Sequence, residues 1–119
     1  MSFSISRTRT RQVIAGDLPI GGGAPISVQS MTNVPTTDIE AVCSQINQLA
    51  SRGAEIVRVA IPDRESAAAL RSIIERSPVP VVSDIHFDPE LAILALEAGT
   101  DKLRLNPGNI RPRSDIWKI

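Results

Sequence analysis

Two arginines stand where a chain normally places apolar residues: Arg58 within V-R-V and Arg104 within L-R-L. Burying an unpaired guanidinium is costly, so each must leave the core or meet an anion. Guanidinium forks match phosphate oxygens in geometry as well as charge, which points to a bound diphosphate. The other reading pairs each arginine with a protein acid such as Asp84 in a structural ion pair. His86, the sole histidine, follows Asp84 by two residues and shares its strand face. It is either a hydrogen-bonded proton donor or substrate orienter, or a structural cap on the loop before Asp88. Gln29-Ser30-Met31 ends a strand-like stretch. Asn106-Pro107-Gly108-Asn109 is a turn whose backbone N–H groups either bind an anion or simply reverse the chain.

Other residue types that invite chemistry carry less. Cys43 sits between Val42 and Ile46 on an apolar helical stripe and reads as a small core residue. A lone cysteine forms no internal disulfide and cannot alone hold zinc or an iron–sulfur cluster. Gly21-Gly22-Gly23 lacks the Lys-Ser/Thr of a P-loop. Asp63, Arg64 and Glu65 read as solvated first-turn charges.

The elements that position these residues follow from periodicity. Arg11 to Ile20, broken at Ala15-Gly16-Asp17, has the composition of a β-hairpin and reads as a ribbon lid. Pro25 to Gln29 reads as the first buried strand. Thr37 and Glu40 have capping-box spacing before a helix carrying Ile39, Val42, Cys43, Ile46 and Leu49 on one stripe, ended by Gly53. Glu55 to Ile61 is a β-branched strand. Asp63 opens a second helix with Ala67, Leu70, Ile73 and Ile74 inward, closed by Pro78. Val79 to Ile85 is a third strand; Asp88 caps, and Pro89 begins, a short apolar helix stopped by Gly99; Lys102 to Leu105 is a fourth.

The alternation β-α-β-α-β-α-β with nearly continuous apolar strands predicts an α/β fold with parallel strands. No G-x-G-x-x-G turn follows the first strand, which disfavours a dinucleotide-binding sheet. The expected architecture is a partial (β/α)8 TIM-type barrel, about the first four strands, with an N-terminal β-hairpin. A whole barrel needs about 250 residues, so the 119 residues amount to about half. Arg111 to Ile119 reads as a helix start with Ser114 as a cap. Residues 1–10 read as an N-terminal extension and 11–119 as the barrel part. Groups at the C-terminal ends of parallel strands form the working mouth, and polar residues recur at one level of all four.

The chain has 13 basic and 13 acidic residues, formal charge zero and 42% apolar content. It lacks the positive field of a non-specific nucleic-acid binder, and no run approaches a membrane span. Arg7, Arg9 and Arg11 lie among Ser and Thr, but the strand-like stretch that follows at once favours an ordered N-terminus over a targeting segment.

The strings PIGGGAPISVQSMTN, GAEIVRVAIPD, PVVSDIHFD and AGTDKLRLNPGNI, in this order, resemble the bacterial 4-hydroxy-3-methylbut-2-enyl diphosphate synthase family from about Arg9 to Ile110, with a tail that matches poorly. The resemblance implies a cytoplasmic oxidoreductase of non-mevalonate isoprenoid biosynthesis that reductively opens 2-C-methyl-D-erythritol 2,4-cyclodiphosphate. Flavodoxin or ferredoxin would supply electrons through a [4Fe–4S] cluster, and the full-length protein would be a homodimer whose C-terminal domain holds the cluster on three cysteines and a glutamate. It further implies that Arg58 and Arg104 clamp the diphosphate, that Asp84, His86 and Asn106 line the mouth, and that Gln29 and Ser30 close its side. None of the cluster-ligand motifs is present, so the catalytic set is incomplete, no metal or cluster is expected on this chain, and it should be inactive alone. Two alternatives stay open: a non-catalytic anion-binding half-barrel module, and a pterin- or phosphate-binding barrel resembling dihydropteroate synthase.

Overall fold

A computed structural model describes residues 8–106 and 118–119. Strands β1 (Val13–Ala15) and β2 (Leu18–Ile20) pair antiparallel, with Ala15 opposite Leu18. The connection is therefore the two residues Gly16 and Asp17. Gly16 has φ +62°, the left-handed geometry that two-residue hairpins favour.

Then follow β3 (Gln29–Met31), α1 (Ile39–Ser51), β4 (Ile56–Ile61), α2 (Arg64–Arg76), β5 (Val81–Ile85), α3 (Pro89–Glu97) and β6 (Lys102–Leu105). Strands β3 to β6 form one parallel sheet in sequential order. Alternation sends Val57, Val59 and Ile61 of β4, with Val81 and Ile85 of β5, toward the helices. There they meet Val42, Cys43 and Ile46 of α1, Leu70 and Ile73 of α2, and Leu91, Ala92 and Ala95 of α3 in one core. Ile56 and Val82 point the other way and form a separate cluster with Ala15 of the hairpin. Helices thus cover one face only, and the strands never reverse their order. That is how a barrel wall winds; a doubly wound sheet carries helices on both faces. Among the described residues the sheet does not close.

Several sequence expectations shift. The hairpin is not a lid over the strand C-termini. Ala15 packs on Ile56 and Val82 near the beginnings of β4 and β5, and a Cβ on Gly16 would meet Pro80 and Asp101, which precede β5 and β6. The ribbon is a floor. The first sheet strand begins at Gln29, four residues later than Pro25, because it pairs only where β4 is available, Gln29 opposite Ile56. Pro25 and Pro80 have no N–H to give a ladder, which also delays β5 to Val81. Helix α1 is capped by Asp38, whose carboxylate accepts the Ala41 N–H at 3.2 Å, in place of a Thr37–Glu40 box. Asp63 and Asp88 cap α2 and α3 as their spacing predicts. The turn at 107–109, the helix start around Ser114 and Arg7 lie outside the described residues.

Candidate functional site

The helix-free face of the sheet carries Met31, Arg58, Asp84 and Arg104, and the register fixes their heights. Arg104 lies directly across from Asp84, Ala60 flanks Asp84 on the other side, and Arg58 sits two residues before Ala60, opposite Val82. The distances follow. Arg104 Nη1 donates to Asp84 Oδ1 at 3.1 Å, while Arg58 reaches diagonally and brings Nε to 3.8 Å from Asp84 Oδ2. His86, just past the end of β5, places Nε2 3.5 Å from the same Oδ2.

The acid is nearly enclosed and the cations are not: Asp84 is 8% exposed, Arg58 26% and Arg104 44%. The structural pairing that the sequence left open is therefore present, with Asp84 as the shared anion. One carboxylate nonetheless faces two guanidinium groups, so the cluster keeps a positive surplus. Arg58 Nη2 donates to Met31 Sδ at 3.3 Å, a weak acceptor. Its Nε–H is buried and makes no hydrogen bond. Its counter-charge is Asp84 Oδ2, which lies beyond hydrogen-bond reach.

Of the residues singled out in the sequence, the structure gathers Arg58, Asp84, His86 and Arg104. Asn106 directly follows β6, two residues beyond Arg104. Gln29 shares their face but lies one layer lower, level with Ile56. Ser30 pairs with Val57 and so takes the helix side. At the height of Arg58, strand β3 presents Met31, the last residue of the Gln29-Ser30-Met31 stretch.

The loop after β3 is tied down along β4. Thr32 N–H donates to Arg58 O at 3.1 Å, and the Thr36 hydroxyl donates to Ala60 O at 2.6 Å. Asn33 and Gln45 exchange two hydrogen bonds, at 2.9 and 2.6 Å, which fasten the loop to α1. The backbone at the mouth is therefore fixed from both strand and helix. These anchors escaped notice in the sequence because Thr and Asn are ordinary loop residues.

The residues present do not fit an iron–sulfur cluster. Cys43 is the only cysteine in the chain, and it is buried in the helix core. Among the described residues no three His, Cys, Asp or Glu side chains are grouped to hold a metal ion. No helix there is long and apolar enough to cross a membrane.

Residues 10–119 match the family model described as the GcpE TIM-barrel domain. The chain is 54% identical over 115 residues to the 4-hydroxy-3-methylbut-2-en-1-yl diphosphate synthase (flavodoxin) of Sulfurihydrogenibium sp. (strain YO3AOP1), covering 97% of this chain and 33% of that protein. Similarly named proteins of Lawsonia intracellularis and Geobacter sulfurreducens are 54% identical over 113 residues, covering 95% of this chain and 32% and 31% of theirs. The chain spans about a third of the length of these curated relatives. The family match runs to Ile119, so the tail beyond Ile110, expected to depart from the family, is part of it.

Proposed function

The chain belongs to the GcpE TIM-barrel family, and from that premise we propose that it is the substrate-binding N-terminal part of a 4-hydroxy-3-methylbut-2-en-1-yl diphosphate synthase, holding the diphosphate of 2-C-methyl-D-erythritol 2,4-cyclodiphosphate at the strand C-termini. The carrying observation is a cluster in which two partly exposed guanidinium groups share one nearly enclosed carboxylate. Oxygens of a diphosphate would meet the exposed parts of the Arg58 and Arg104 guanidinium groups, while Asp84 keeps both forks splayed toward the mouth. His86 would orient the substrate from the β5 end, and Asn106 from the β6 end.

In this reading the strands form the first part of a (β/α)8 barrel, residues 11–119 being barrel and residues 1–10 an extension. Reductive opening of the ring would draw electrons from flavodoxin, as the relatives' names indicate, through a [4Fe–4S] cluster. Cys43 cannot hold one, so no step is assigned to it here. The homodimer and cytoplasmic location belong to the same proposal. The pterin-binding alternative finds no counterpart in the family match.

Calorimetric titration of the cyclodiphosphate into the chain and into an Arg58→Ala variant tests this. Loss of one charge-assisted fork should weaken binding by about 1.5–3 kcal/mol, or roughly ten- to a hundredfold. Equal affinity in both proteins would remove Arg58 from the site.

A further inference from the structure

Between β5 and α3 the chain has three residues in which to reverse direction, and both ends are fixed. Strand β5 is buried through Ile85. At the other end the Asp88 carboxylate accepts the Glu90 N–H at 2.9 Å, and Pro89 occupies the first helical position, which keeps Asp88 extended at φ −105°, ψ 116°. The turn therefore falls on Phe87. It has φ +61°, the only positive value at a non-glycine among the described residues, and the Asp88 N–H closes onto His86 O at 2.6 Å. A two-residue closure about a left-handed centre is a strained γ-turn. For a bulky side chain the conformation is a true outlier.

Burial does not offset this strain, because Phe87 is 67% exposed. Glycine would make the same turn without it. What the phenyl ring does touch is His86: the two rings stand edge to face, centroids 6.4 Å apart at 69°, while His86 Nε2 points at Asp84 Oδ2. Strain held by fixed surroundings at a cluster of charged groups is a sign of function. We propose that Phe87 is a positioning residue, whose strained turn and ring edge hold the His86 imidazole in the plane that aims it at Asp84 and the mouth. Only the binding part of its test rests on the anion-site reading above.

The sole histidine in the sequence makes the imidazole directly readable by NMR. Phe87→Asn keeps a residue that tolerates the left-handed region but loses the ring; F87G is more permissive still; F87Y keeps the ring. The ring-less variants should unfold at a denaturant concentration no lower than the wild type. In them the His86 ring-proton and nitrogen shifts should move to those of a freely rotating imidazole, and inorganic pyrophosphate should bind on the order of tenfold more weakly, as expected for a misplaced group. F87Y should retain the wild-type values of both. Wild-type imidazole signals in F87N and F87G would overturn the proposal. So would weaker binding with an unmoved imidazole, since the phenyl ring would then touch the ligand itself. If the wild type ignores pyrophosphate but the imidazole signals still divide the ring-less variants from F87Y, positioning stands and the anion site falls.

Discussion

Asp84 is the hinge of the charged cluster because, among the described residues, it is the only carboxylate on a strand face with two arginines and a histidine. Neutralising it isosterically, as Asp84→Asn, leaves Arg58 and Arg104 repelling each other and Arg58 partly buried without a counter-ion. Its unfolding free energy should fall by about 2 kcal/mol, measured by urea titration; an unchanged midpoint would mean that solvent already screens the pair. The four residues that meet at this point were legible in the sequence because strand alternation and the rule that working groups sit at strand C-termini require no knowledge of packing. Ser30, expected beside Gln29, lies on the opposite face of β3, since adjacent strand residues cannot face one side together. Met31 was named at its strand end but given no role, because a thioether reads as core; Phe87 was not legible, because backbone strain leaves no trace in residue type.

At the scale of elements, the helices are stitched to one another in series. Arg76 of α2 grips Glu40 of α1 through two hydrogen bonds, at 2.6 and 3.0 Å, and Arg64 of α2 pairs with Glu90 of α3. Arg76 holds the Glu40 carboxyl below its ordinary range. The Ser66 backbone N–H does the same for Asp63, the cap of α2. Both folded values lie below the unfolded ones, so their contribution is fully present above the ordinary carboxylate range and is lost as pH falls through the lowered values. Denaturation midpoints measured from neutrality down to about pH 3 should therefore decline, and should decline less steeply in a Glu40→Gln, Asp63→Asn double variant, where amides replace the titrating groups and asparagine still caps. Parallel slopes would mean that neither contact persists in solution. The helices and their caps were readable because apolar periodicity and capping chemistry are local. The exception, Asp38 in place of Thr37, turned on where the helix begins: it starts at Ile39, one residue later than a Thr37 cap requires, which puts the Ala41 N–H within reach of Asp38.

For the molecule as a whole, the least legible feature was where the hairpin goes. Turn chemistry specifies a ribbon, but its docking depends on Ala15, Ile56 and Val82, far apart in sequence. Gly16 records how close the approach is: an added Cβ would stand 3.0 Å from both Asp101 Oδ1 and Pro80 Cγ, at φ +62°. Gly16→Ala should lower stability by about 1–2 kcal/mol in thermal or urea unfolding, and a neutral result would detach the ribbon from the strand beginnings. Where the ribbon rests also matters for the charges. Ile56 lies two residues before Arg58, and Val82 directly opposite it, so Arg58 rests against hydrocarbon toward the strand beginnings, whereas Arg104 stands above the exposed Lys102. Field lines from Arg58 are therefore concentrated toward the strand ends and whatever approaches them. Mobile counter-ions reach Arg58 from fewer directions than they would at an open surface, so its attraction for an incoming anion is dimmed less by added salt than that of Arg104.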